Sequence, residues 1–144
     1  MSTNLDDHAR LPPRPRPEPD ALSSPYWDGL RAHKLMLQRC RACGRVRHYP
    51  RPLCDQCYAF EHDWIEARGA GRVHSWTVCH HAFHPAFKQE LPYALVTVDL
   101  AEGVRLQAPL RGGDPTLLRP ELPVLIDFED VDEALTLPCV RVSA

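Results

Sequence analysis

Four cysteines carry the most specific chemical signal in this chain. Cys40 and Cys43, then Cys54 and Cys57, read CRAC, ten residues, CDQC. Two CxxC pairs at this spacing form two tight knuckles that turn four sulfurs toward one point, where four thiolates enclose a single tetrahedral metal ion. Gly44 follows the first pair and can take the positive φ that such a turn often needs. Tyr58 follows the second, so that knuckle is expected to be tighter or differently turned. The N-terminus lacks the apolar core of a signal peptide, which predicts a reducing cytoplasm, where disulfides are rare and a metal is the better account of four thiols. A four-thiolate tetrahedron suits zinc; iron would make the same site rubredoxin-like, and the spacing fits both. Four protein ligands leave no position for water or substrate, so the expected role is structural.

Other chemistry is less concentrated. From Arg31 to Arg51 there are seven Lys or Arg and no acid, whereas from Glu121 onward there are six acids and one Arg. The net charge of -2 therefore conceals a positive ribbon and a negative C-terminal part. Cys79 and Cys139 fall at apolar positions of strand-like stretches and read as buried free thiols rather than nucleophiles. His80 and His81 would point to opposite faces of a strand, so with His84 they read as a solvated histidine loop rather than a metal site. No nucleophile elbow, phosphate loop, GxGxxG or metal motif with a vacant position is present, which argues against an independent enzyme.

The elements that must hold these residues follow from periodicity and breakers. Residues 1–24 contain five of the fifteen prolines, in the run LPPRPRPEP, with few large apolar groups, and predict a disordered or extended leader. In SSPYWDGLRAHKLML, Ser24 can cap and Pro25 fits the first turn of a short helix that puts Tyr26, Trp27 and Leu30 on one side. The ribbon beside it is expected to be too small to bury both aromatics. Leu35 to Gln38 leads into the first knuckle, and GRVRHYPRPL supplies a hairpin between the knuckles.

After Gly69 and Gly71 the period changes to two. Val73, Ser75, Thr77 and Cys79 alternate with His74, Trp76 and Val78, and Ala94, Val96, Val98 and Leu100 repeat the pattern. Segments from Val104 to Leu110, Val124 to Phe128 and Leu135 to Val142 complete five short strands, separated by Gly, Pro and Asp. No helix lies among them, which predicts a small antiparallel barrel or sandwich. The connection from His81 to Pro92 is long for a hairpin and rich in His, Phe and Pro, as functional loops often are. No apolar run is long enough for a membrane helix.

Taken in order, PYW, the paired CxxC knuckles with CG at the first, YPRPLC, GAGRVHSWTV and PYALVTVDLAEGVRL resemble one family. That family joins a short aromatic helix and a rubredoxin-like zinc ribbon to an OB-fold domain, long classed as a domain of unknown function. The resemblance runs from about Pro25 to the C-terminus and departs from the family at Tyr58 and at Pro120 to Pro123. Beyond the leader read from composition over 1–24, it implies a mostly β chain: helix and ribbon over 25–68, and a five-stranded antiparallel OB-fold barrel over 69–144. It also implies a non-catalytic accessory subunit of a hetero-oligomer, which binds a thiolase-like or acyl-CoA hydratase catalytic subunit and helps house the CoA end of an acyl-CoA. On that reading Arg45, Arg47 and Arg51 would face CoA phosphates, while Tyr26, Trp27, Leu30, Phe83 and Phe87 would offer partner or acyl surface, with Trp76 and Tyr93 as further stacking candidates. The alternative is a single-stranded nucleic-acid binder, since ribbons and OB folds both serve that use. Against it, the barrel half is acidic and its aromatics lie among Ala, Val, Asp and Glu rather than among bases.

Overall fold

The computed structural model describes residues 11–143. Residues 1–10 of the expected leader lie outside them. One helix, α1 (Ser24–Arg31), precedes a ribbon of three strands, β1 (Met36–Cys40), β2 (Val46–Arg47) and β3 (His62–Glu66), paired in the order β2-β1-β3. Five longer strands follow: β4 (Ala70–Cys79), β5 (Tyr93–Leu100), β6 (Arg105–Pro109), β7 (Pro123–Asp132) and β8 (Leu135–Val142). They form one antiparallel sheet in the order β6-β5-β4-β7-β8. The curled sheet is OB-like rather than a closed barrel: its two ends meet through a single parallel bridge, Leu110 to Val140.

The helix takes its N-cap one residue earlier than expected. Ser23 takes the N-cap position and exchanges hydrogen bonds with Asp20, whose Oδ1 accepts from the Ser23 amide at 2.7 Å. Its inner face is buried more deeply than the sequence suggested. Tyr26 is 3% exposed and Leu30 0%, because α1 packs against β8 as well as β1 and so borrows the barrel's core. These two residues therefore belong to the interior, which corrects the expectation that the ribbon alone had to cover them.

Strand β5 shows the cleanest pattern, with Ala94, Val96, Val98 and Leu100 buried at alternate positions. Strand β4 departs from its expected alternation. Val73 pairs with Val98 but Ser75 pairs with Thr97, so His74 is an extra residue in a β-bulge. Beyond the bulge the inner face passes to Trp76 and Val78, which pack on the core, while Ser75 and Thr77 turn outward. Of the two spare thiols, Cys139 is buried and Cys79 only half-buried.

Residues 11–19 form neither helix nor strand, and the run is laid on this chain's own sheet. Arg14 reaches Glu90 and Glu129 and lies 5.4 Å from the centroid of the Phe87 ring, and Arg16 donates to Asp132 at 2.7 Å. Glu90 and Phe87 come from a 3-10 helix, Pro85–Glu90, inside the long loop before β5.

Candidate functional site

The two knuckles bring the four expected cysteines together. Every pair of their Sγ atoms lies within 4.8 Å, with Cys40 and Cys57 3.5 Å apart and Cys43 and Cys54 3.6 Å apart. Four sulfurs around one ion at ordinary zinc–sulfur distance sit about 3.8 Å from one another, so the donor set fits a tetrahedral metal. Each knuckle is closed in the same way. The Gly44 amide donates to the Cys40 carbonyl and the Tyr58 amide to the Cys54 carbonyl, each at 3.0 Å, with φ of 79° and 64°. Tyr58 thus adopts the same left-handed conformation as Gly44, and the second knuckle is not differently turned. Backbone N–H groups aim at the sulfurs inside each turn. Those of Cys57 and Gln56 pull the Cys54 thiol down to about 6, and that of Cys43 lowers Cys40. This favours the thiolate, the form that binds metal, at Cys40 and Cys54, whereas the neighbouring sulfurs and desolvation push Cys43 and Cys57 up.

A second cluster sits where the ribbon meets the barrel. A cleft of about 380 Å³ is lined by Arg45, Arg47, Arg51 and, from β6, Arg105. The three arginines singled out in the sequence do converge, and Arg105 joins them by tertiary contact that no local pattern announces. Asp55 takes up Arg45 at 2.9 Å and Asp99 takes up Arg105 at 2.7 Å, leaving four guanidinium groups against two carboxylates. Arg47 is 3% exposed, and no carboxylate pairs with it among the described residues. Its Nε donates to Gln38 Oε1 at 3.0 Å and its Nη2 to the Arg51 carbonyl at 3.0 Å, while Nη1 has no partner. A buried charge of this kind, at the wall of a cleft, favours an anion.

Alongside lies a larger cleft of about 460 Å³, walled by Tyr26, Trp27, Tyr49, Phe87 and Tyr93. The Trp27 indole Nε1 donates to Tyr49 Oη at 3.0 Å, and the Tyr26 ring meets Trp27, His48 and Tyr49 at centroid distances of 5.1 to 5.5 Å. His48 lines both clefts. Burial, helped by the charge of Arg51, lowers its imidazole to about 4, so it is neutral at pH 7 and suits an apolar wall. Of the expected apolar surface, Trp27 and Phe87 line this cleft, Tyr26 forms part of its floor, and Leu30 lies in the core beneath. Phe83 stands apart on the loop, 90% exposed. His48, Tyr49 and Arg105 were not singled out in the sequence; the HY pair between arginines was the only local hint.

A metal ribbon with an OB-like sheet and two contiguous clefts defines the class, and comparison with known proteins specifies it. Residues 27–63 match the model of the ChsH2 rubredoxin-like zinc ribbon domain, and residues 64–129 that of the ChsH2 C-terminal OB-fold domain. A solved structure described as an Ltp2-ChsH2(DUF35) aldolase is 39% identical, with a TM-score of 0.81, over 90% of this chain and 100% of that one. The chain belongs to the DUF35 family, in its ChsH2 form. Among curated proteins it is 41% identical to a probable enoyl-CoA hydratase alpha subunit of Thermomonospora curvata, over 89% of this chain and 40% of that protein. It is 36% identical to the 3-oxo-4,17-pregnadiene-20-carboxyl-CoA hydratase alpha subunit of Mycobacterium tuberculosis, over 78% of this chain and 39% of that protein. The chain thus spans about two fifths of the length of these two curated relatives. A DUF35 domain-containing scaffold protein of Methanocaldococcus jannaschii is 33% identical over 47% of this chain and 48% of that one. No helix among the described residues is long and apolar enough to cross a membrane.

Proposed function

We propose that this chain is a non-catalytic subunit of a cytoplasmic acyl-CoA-processing assembly, docking on a hydratase or thiolase-like catalytic partner and holding the CoA end of the substrate. One observation carries the reading: the arginine-lined cleft and the aromatic-lined cleft lie side by side and share His48. A ligand with phosphates at one end and an apolar chain at the other is the chemistry this adjacency suits, with Arg45, Arg47, Arg51 and Arg105 on the phosphates. The names of the relatives, two hydratase alpha subunits, an aldolase assembly and a scaffold protein, support a partner-bound role. Zinc is the metal assigned to Cys40, Cys43, Cys54 and Cys57, where it would hold the ribbon and take no part in a reaction. Phe83 is the residue assigned to the partner surface, being the most exposed large apolar side chain among the described residues.

The test is calorimetric titration of the purified full chain with CoA, alongside co-purification with a co-expressed hydratase or thiolase-type subunit. Arg47→Met and Arg105→Glu should each weaken CoA at least about tenfold, the loss of one charge-assisted contact, with metal content unchanged. Phe83→Ala should weaken the subunit contact instead. CoA binding that ignores both arginine substitutions would remove the phosphate assignment, and a chain that captures neither type of subunit would remove the accessory role.

A further inference from the structure

The aromatic cleft does not end at a solid wall. A second apolar cleft, of about 240 Å³, begins where it stops, lined by Pro13, Pro15, Val131 and Leu135. Three residues line both: Arg14, Phe87 and Leu137. Phe87 and Leu137 belong to the body of the domain, whereas Arg14 belongs to the extended N-terminal run laid across it. The movable part of what separates the two spaces is therefore the strap and the Arg14 side chain laid over Phe87.

The strap is tied in an unusual way. Among the described residues, no backbone hydrogen bond joins residues 11–19 to the sheet. Its prolines remove donors and hold the run extended. The polar attachments are side-chain contacts of two arginines: Arg14 to Glu90 and Glu129 and over the Phe87 ring, and Arg16 to Asp132. Arg14 and its carboxylate partners are about one third exposed, so salt screens their contacts. Glu90 and Glu129 also hold Arg111, at 3.6 and 3.1 Å, and keep a cationic partner when Arg14 leaves.

We infer that Arg14 is a specificity-determining partition, dividing one elongated apolar groove in two and setting the length of apolar chain that the aromatic cleft accepts. A short chain fits between Trp27 and Phe87 with the strap in place. A longer one must lift Arg14 off Phe87 to run on toward Leu135 and Val131. The proposal rests on the acyl-chain reading of the aromatic cleft, and it adds the length rule and the residue that sets it.

The experiment uses a homologous series of straight-chain alcohols, titrated into the full chain by calorimetry, with wild type, Arg14→Ala and Arg14→Met compared at low and high salt. In wild type, affinity should climb with chain length and then level off. In Arg14→Ala the plateau should vanish and the longest members should bind about tenfold more tightly, the combined worth of an exposed ion pair and a cation–π contact, while the shortest are unchanged. High salt should move wild type toward the Arg14→Ala profile and leave the variant where it is. Arg14→Met, which keeps bulk without charge, should lose the salt dependence and retain part of the plateau. Identical plateaus in wild type and Arg14→Ala, or a plateau indifferent to salt, would overturn the partition. Alcohols carry no phosphate, so that failure would leave CoA binding at the arginine cleft standing, and failure of CoA binding would leave this result standing.

Discussion

Strand β5 and the two knuckles solve the same problem with different materials. In β5 every second side chain is buried, and Ala94, Val96, Val98 and Leu100 form the middle of a continuous apolar core. Between Arg41 and Glu61 only Arg47, Pro50 and Cys54 are buried, one of them a cation and one a sulfur ligand. A segment of that length with so little apolar burial cannot offset its chain entropy by the hydrophobic effect. Its order must come from ligation at the sulfurs and from the hydrogen bonds of Gln38 and Arg47. The barrel's stability is intrinsic, whereas the ribbon's is linked to metal, and the two regions should fail separately.

The most severe way to press that difference is Cys54→Ser. Structural zinc contributes on the order of 10 kcal/mol to small ribbons, so the variant should lose its metal by elemental analysis and become protease-sensitive between the knuckles. Amides of Val96 and Val98 should still resist hydrogen exchange. Loss of protection in β5 to the same degree would show one cooperative unit and end the contrast.

Acid should reach the ribbon side through a different group. The His48 imidazole is held near 4 against an ordinary value of 6.5, so between those values the unfolded chain takes a proton that the folded chain refuses. Stability contributed by neutral His48 is complete above 6.5 and is lost as pH falls toward 4, by about 3 kcal/mol. Replacing His48 with Phe should flatten denaturant midpoints across that window. An unchanged slope, with metal content constant, would assign the acid sensitivity elsewhere.

The smallest effect separates the knuckles from one another. Tyr58 holds φ at 64° where Gly44 holds 79°, and the Cβ of a non-glycine residue costs about 1 kcal/mol or more there. Tyr58→Gly should raise the midpoint of ribbon unfolding slightly, without altering metal content. A lower midpoint would mean that the tyrosine ring contributes more than its backbone costs, although it is 70% exposed.

What the sequence disclosed follows the range of the interactions involved. The CxxC spacing is local, and so is the alternation of β5, and both were legible as they stand. The arginines at 45, 47 and 51 were visible as a basic run, but that Arg47 is buried and that Arg105 completes the cleft depend on packing of ribbon against β6. Tyr26 and Leu30 looked exposed because their cover, β8, lies more than a hundred residues away in the chain. The run of prolines around Arg14 reads as an unstructured leader until Glu90, Glu129 and Asp132 are placed opposite its two arginines.

The bulge at His74 gives strand β4 a phase, in the sense that a wave has one. One additional residue, held by Nδ1 against Asp99 Oδ2 at 3.1 Å, advances everything after it by half a period. Deleting that single codon would make Val73 and Ser75 ordinary neighbours opposite Val98 and Thr97 and keep Trp76 and Val78 inward, whereas one residue added or lost elsewhere in the strand would turn them to solvent. The bulge is therefore where this strand can lose a single residue and keep its phase; elsewhere in it, length changes are permitted in steps of two.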